Sequence, residues 1–312
     1  MSGNFSIQAT LFTTNSTAII NEFWFVPSDI LMIICSTLII LLSGLFLLVI
    51  VVDKTCHTIP MLLTAHSYIA LLIIGCDLLG LATFMLKNDL KQLEYEDSIC
   101  AVRGYICYTA SAVTMYSYLL QSIHRYLTTV YPHRLFWQSM KFYVILLCST
   151  WIWCYIYPIA FLFTKKITYN VDNQICQIPL RSSLILIYTS SCMYTIPVSL
   201  VVFIYFKLVR YVRGMNERAV PANILFRAQR QLKMTRRLVI IVALLAIIGI
   251  PYMSFVFIAF FTDPPRYHLR FAQTFTDLSV LCATIVLFGF TDPLKASLMK
   301  KLRRRTSIAP IR

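Results

Sequence analysis

Seven stretches of this chain are each long and apolar enough to cross a lipid bilayer, and this pattern limits the possible folds more than any other feature. They run approximately over Pro27–Val52, Pro60–Leu86, Ser98–Val130, Lys141–Phe163, Ser182–Val212, Arg237–Phe261 and His268–Pro293. A spanning helix needs about 20 mostly apolar residues. Inside hydrocarbon every backbone N–H and C=O must be satisfied within the protein, so only helices and closed barrels cross. Barrel strands are shorter and alternate polar with apolar residues; these stretches are long and evenly apolar. The expected fold is an all-α membrane protein, a bundle of seven transmembrane helices. Composition agrees: 58% of residues are hydrophobic and 13% charged, against roughly 25% charged in soluble domains. The segment before span one has neither a basic nor an apolar leader region, so no cleaved signal is expected and span one would itself direct insertion.

Charge gives the bundle a direction. The loops after spans one, three and five, with the tail, hold 20 of the 28 Lys and Arg residues, and the opposite side holds the other 8. Acids divide the other way: Asp53 and Glu217 on the first side, eight on the second, and Asp77, Asp277 and Asp292 within spans. The positive-inside rule then places the amino terminus outside and the carboxyl terminus in the cytoplasm, as in a multi-pass protein of the plasma membrane. The net charge of +15 flanks apolar segments rather than forming a soluble basic face, so nucleic acid is not an expected partner; the bilayer is. Three regions follow. Residues 1–26 are a polar exterior segment with N-glycosylation acceptors at Asn4 and Asn15. Residues 27–293 form the bundle. Residues 294–312 form the tail, where Leu294, Leu298 and Leu302 recur every four residues among basic ones, the pattern of an amphipathic helix on the inner membrane surface.

Chemistry is concentrated at a few polar positions. Span three ends in Gln121-Ser122-Ile123-His124-Arg125-Tyr126, and charged residues at such depth usually face a bundle interior. Cys100 precedes Arg125 by 25 residues, roughly 37 Å of helix, so it lies at the outer surface when Arg125 lies at the inner one. Outside the cell thiols oxidise, and the exterior loop between spans four and five offers Cys176. A Cys100–Cys176 disulfide would pin that loop over the bundle. The other eight cysteines read as small buried hydrophobes. Asp77 in span two is expensive unless paired, protonated or bound to a cation. Pro197, Pro251 and Pro293 sit in or at the end of three successive spans and permit kinks.

In this order, these marks resemble the rhodopsin-like (class A) G-protein-coupled receptors, over nearly the whole chain from Asp77 to Leu302. His124-Arg125-Tyr126 looks like the family's Asp/Glu-Arg-Tyr motif, and Cys100 with Cys176 looks like its disulfide. Asp77, Trp151, Pro197 with Tyr205, and Pro251 match the marks of spans two, four, five and six, and Asp292-Pro293 looks like a shortened span-seven motif. The resemblance implies an extracellular ligand, a heterotrimeric G protein as partner, and a switch built from His124, Arg125, Tyr126, Tyr205, Pro251, Asp292 and Pro293. It also implies a polar centre of Asp77, Thr114 and Asp292, a candidate site for sodium and the one cofactor to consider. The departures are the acid before the arginine (His124), the span-one Asn (Leu45), the span-six tryptophan (Gly249), the acid at the foot of span six (Gln231) and the span-seven tyrosine (Ala296). Both acidic partners of Arg125 are lost, so a loosely held inactive state is expected.

Subfamilies with obvious ligand anchors do not fit. The position of the retinal lysine is Val286, and that of the amine-binding aspartate is Cys107. The upper bundle offers Lys87, Arg103, Cys107, Tyr108, Ser111, Tyr252 and Asp277 instead, aromatics with a few polar anchors, which suits a peptide or a small polar organic ligand. Two alternatives stand beside a coupling receptor: a receptor-like scavenger or dimer partner that no longer couples, and a multi-span transporter, against which the chain shows no repeated halves. No metal-ligand cluster and no nucleophile–base arrangement suggests an enzyme.

Overall fold

A computed structural model describes residues 23–91, 99–180, 183–217, 221–291, 294–296 and 299. Asn4, Asn15, Asp292, Pro293 and most of the tail lie outside the described residues. Among the described residues the helices form seven consecutive segments that correspond to the seven expected spans. The first four are α1 (Phe25–Val52), α2 (Ile59–Lys91), α3 (Cys100–Val130) and α4 (Met140–Phe163). A two-stranded antiparallel hairpin follows, β1 (Thr168–Asn170) and β2 (Ile175–Gln177), with Tyr169 opposite Cys176. The fifth span is α5 (Ser183–Ser190), a π-turn over Ser191–Thr195, and α6 (Ile196–Glu217). The sixth is α7 (Ala222–Ile248) and α8 (Ile250–Ile258), bent by 48° at their junction. The seventh is α9 (His268–Phe290).

The lipid-facing and inner surfaces follow directly from side-chain pattern. On α1, Leu31, Ile34, Leu38, Leu41, Leu45 and Leu48 are all exposed, while Met32, Cys35, Ile39, Ser43, Phe46 and Val49 are buried. Both sets recur at three- and four-residue spacing, so a helix that is apolar all round still has a distinct inner stripe. Leu45, the residue at the expected span-one Asn position, belongs to the outer set; the buried polar residue at that level is Ser43. The third span is the least apolar because it is central. α3 touches α2, α4, α6, α7 and the hairpin, and it buries Thr109, Thr114, Ser117, Gln121, Ser122, His124 and Thr128. Several of its hydroxyls donate to the carbonyl one turn back, Thr114 to Ala110, Ser122 to Tyr118 and Thr128 to His124, which satisfies them without a second helix.

Both breaks in helices have local causes. Pro197 has no N–H, and its ring crowds the carbonyl four residues earlier; the π-turn immediately before it widens the helix by one residue. In the sixth span, Gly249 ends α7 and Pro251 opens α8 at its first turn, where a missing N–H is harmless. A side chain at 249 would bring its Cβ to 3.0 Å from the Leu245 carbonyl oxygen, so glycine suits the bend. The apolar core between these breaks joins Phe46, Tyr68, Leu71, Tyr118, Ile241, Val242 and Leu287 from five helices.

Candidate functional site

The polar residues form three groups along the bundle. At the arginine end, Arg125 is half-buried and its Nη1 donates to the backbone carbonyl of Met234 on α7 at 3.1 Å. Arg237 makes a matching contact from α7 to α9, donating to the Phe290 carbonyl at 2.8 Å with its guanidinium over the Phe290 ring. His124 does not face α7. It is buried against Tyr143 of α4, ring edge to ring face with centroids 4.9 Å apart. Tyr126 packs on Tyr131 and Tyr205 on Phe206; neither reaches Arg125 with a hydrogen bond among the described residues. Pro251 stands at the bend of the sixth span, one helix along from the Met234 carbonyl.

One level deeper, Ser67 of α2 and Ser117 of α3 are hydrogen-bonded, and Gln121 Nε2 donates to Ser67 Oγ at 2.9 Å. Nearby, His66 meets the edge of Trp151. This α2–α3 contact is separate from the polar centre that the resemblance implied for Asp77, Thr114 and Asp292. Asp77 lines a cavity closer to the disulfide, and the Thr114 hydroxyl donates to the Ala110 carbonyl. Asp292, the third residue of that centre, lies outside the described residues; among the described residues no group of three or more His, Cys, Asp or Glu side chains could hold a metal.

That cavity has a volume of about 190 Å³. Arg103, Cys107, Tyr108, Ser111 and Tyr252 line it together with Asp77 and Gln273, and Ile175, Cys176 and Gln177 of the hairpin cover it. The Tyr108 hydroxyl accepts from the Ile178 N–H at 3.2 Å, and the Tyr157 hydroxyl donates to the Tyr108 carbonyl at 2.9 Å. Gly80 leaves room for the Arg103 guanidinium, which lies 3.6 Å from where a Cβ would stand. Two further sequence candidates fall elsewhere. Lys87 is exposed on a shallow outer groove with Thr83 and Leu90. Asp277 is buried behind the cavity wall, where its Oδ1 accepts from Gln273 Nε2 at 3.1 Å rather than pairing with Arg103.

The disulfide end carries a group that the sequence did not reveal. Cys100 and Cys176 are bonded, and the hairpin packs so closely on α3 that a Cβ at Gly104 would lie 2.9 Å from the Cys176 carbonyl oxygen. Beside it, Arg270 of α9 is completely buried between two equally buried carboxylates, Asp29 of α1 and Asp89 of α2. Its Nη2 donates to both Asp29 oxygens at 3.0 and 2.8 Å and to Asp89. The Phe25 ring lies 4.1 Å from the guanidinium carbon. The turn between the strands completes the group: Gln174 Nε2 donates to Asp89 at 2.8 Å, and Asn173 Oδ1 accepts from the backbone N–H groups of Leu269 and Arg270. Asn173 therefore caps the first turn of α9 from outside the helix. Four segments distant in sequence meet at one guanidinium.

A family model described as "7 transmembrane receptor (rhodopsin family)" matches residues 42–288. This chain belongs to that family, a family of receptors rather than enzymes, and it is a multi-pass membrane protein. Among solved structures it is similar to squid rhodopsin, with a TM-score of 0.73 over 92% of this chain and 88% of that one, at 14% identity. At that identity the likeness speaks for the fold. A comparison with curated proteins found no match.

Proposed function

We propose that this protein is a G-protein-coupled receptor of the plasma membrane, with its disulfide end outside and its arginine end in the cytoplasm. It binds a small extracellular ligand in the cavity below the hairpin and activates a heterotrimeric G protein at the arginine end. One observation carries the reading: Arg125 of the central helix is tied to a carbonyl near the foot of the sixth span, below the only bend in that span among the described residues. A ligand that binds one arrangement of α3, α6, α7 and α9 better than another shifts their populations. If α7 swings outward about the Gly249–Pro251 break, the Arg125–Met234 contact opens and a cleft forms. Because binding couplings are reciprocal, bound G protein tightens agonist binding by the same factor as agonist tightens G protein.

The test is nucleotide exchange on purified G proteins by the receptor in nanodiscs. Exchange above background, abolished by Arg125→Leu at equal receptor level, supports the reading; none across the main G-protein classes sinks it. The second reading, a receptor-like protein that does not couple, is favoured by the placement of His124 against Tyr143, where the family acid would adjoin Arg125. Ligand binding without exchange would select it.

A further inference from the structure

Asp77 and Arg103 face two ways. Both line the cavity below the hairpin, and both also line a groove of about 420 Å³ on the outside of the bundle, between α2 and α3. Gly80 stands one turn along α2 from Asp77, and a Cβ there would lie 3.6 Å from the Arg103 guanidinium, so the arginine crosses α2 beside the carboxyl. Both side chains are half-buried. The rest of the groove is apolar, with Ile73 and Cys76 of α2 facing Ile106 of α3. Cys76 and Ile106 are exposed, so in a membrane this face meets lipid. Charged side chains in spans almost always face the bundle interior or a water-filled cavity; a pair that also reaches the lipid-facing surface calls for a partner there. The groove has a direction. α2 runs toward the disulfide end and α3 away from it, so Gly80 and Arg103, which is three residues from Cys100, lie at the disulfide end, while Ile106, Ile73 and Leu72 follow toward the middle of the bundle. From Gly80 to Leu72 is about 12 Å of helix. A groove that is polar toward the headgroups and apolar below them has the profile of an amphiphile standing in one leaflet.

We propose that this groove binds a single-chain lipid with a neutral hydroxyl head group, held by Asp77 and Arg103 from the bilayer side. A hydroxyl carries both a donor and acceptor lone pairs, so it donates to the carboxyl and accepts from the guanidinium at once. A carboxylate or phosphate head is drawn to Arg103 but set against Asp77, and an ammonium head meets the reverse; the like-charge contact counts against each. The pair therefore selects a neutral head by balance and not by attraction to a net charge. α2 and α3 pack on each other, so the groove between them is narrow and takes one flexible chain rather than a fused-ring lipid.

The inference takes from the receptor reading only that the disulfide end faces outward, which puts the groove in the outer leaflet, and its test reads binding alone. Full-length receptor in nanodiscs is irradiated with hexadecanol that carries a diazirine on its chain, and the adducts are mapped by mass spectrometry. Saturable adducts are expected at Leu72, Ile73, Cys76 and Ile106. Unlabelled hexadecanol should displace them at a membrane fraction roughly tenfold or more below that needed for hexadecyl methyl ether, hexadecanoate or hexadecylammonium, since each of these loses or opposes a charge-assisted contact. Asp77→Asn, nearly isosteric, leaves the guanidinium unopposed and should make hexadecanoate the best competitor. Arg103→Gln leaves the carboxyl and should favour hexadecylammonium. If a variant fails to fold, the competition on the unaltered receptor decides. Adducts as dense on the lipid-facing residues of α1 and α4 as in the groove, equal competition by all four compounds, or an ion displacing the label more readily than the alcohol would overturn the proposal. So would an unchanged preference in both folded variants, or cholesterol displacing the label more readily than hexadecanol, which would assign the groove to a sterol. Nucleotide exchange is measured separately: a receptor that couples but does not concentrate the alcohol refutes this inference alone, and one that concentrates it without coupling refutes only the receptor reading.

Discussion

Two arginines mark the two ends of the bundle, and they are held in opposite ways. Arg270 is enclosed by two carboxylates and an aromatic ring, all from other helices, with no exposure to solvent. Among the described residues the Arg125 side chain has one hydrogen bond, to a carbonyl that α7 already uses in its own helix. Removing one partner of a buried charge leaves the others uncompensated, which is costly. Releasing a half-buried guanidinium from a shared carbonyl at a wet edge costs little. The protein is therefore clamped at the disulfide end, where α1, α2, α9 and the hairpin meet, and lightly latched where α3 meets α7. The proposed signalling, with a change of shape at one end and the other kept ordered, needs that asymmetry, since mobile elements are drawn from the regions of lowest local stability.

The largest expected effect comes from opening the clamp. Arg270→Met leaves Asp29 and Asp89 buried without a cation and should destabilise the protein by about 3–5 kcal/mol, read as a fall in thermal midpoint and in folded yield. A loss under about 1 kcal/mol would mean that water replaces the guanidinium, and the disulfide end would no longer count as the rigid one. Next comes the Cys100–Cys176 bond. Cys100→Ser should cost about 2–4 kcal/mol, and a reductant should lower the midpoint of the unaltered protein but not of the variant. Smaller again is Gln174→Ala, which removes one hydrogen bond to the buried Asp89 carboxylate and should cost about 1.5–3 kcal/mol. If the hairpin merely rests on the bundle, that substitution will be silent in the same unfolding measurement.

The two ends also differed in how much of them the sequence disclosed. The Cys100–Cys176 bond and the position of Arg125 follow from helix rise and from which side of the membrane each loop occupies, because both are one-dimensional facts. Span positions were legible for the same reason, although the helices run past the expected limits: α2 to Lys91 rather than Leu86, α6 to Glu217 rather than Val212, and α7 from Ala222 rather than Arg237. The clamp was not legible. Asp29 and Arg270 are 241 residues apart, and Asp89 and Arg270 are 181 apart. Each stands near the end of a span, where a lone charge reads as a membrane-edge residue; only packing turns three edge charges into one buried group. Grouping was the other gap. The resemblance joined Asp77 to Thr114 and Asp292 in one polar centre, but the residues Asp77 shares a cavity with are Arg103, Cys107 and Ser111, and Ser67, Ser117 and Gln121 form a polar group of their own. Polar side chains of that size carry no signal in hydropathy, although the buried face of α3 could have been traced from its serines, threonines and Gln121.

The smallest effect on stability, and the one that most sharpens the contrast, belongs to Arg125→Leu. Its loss removes one hydrogen bond to a carbonyl that keeps its helical partner, so the unfolding free energy should change by about 1 kcal/mol or less. Nucleotide exchange should nevertheless disappear, because in the proposed mechanism the guanidinium freed from Met234 is what the open cleft presents. Substituting Met234 cannot stand in for this test, since the acceptor is backbone and survives any side-chain change. Measured beside Arg270→Met, the pair gives opposite profiles: one variant that unfolds early, and one that folds normally and does not signal. Should Arg125→Leu unfold as readily as Arg270→Met, the arginine end is a second clamp, and the movement of α7 that the receptor reading requires would have to break it.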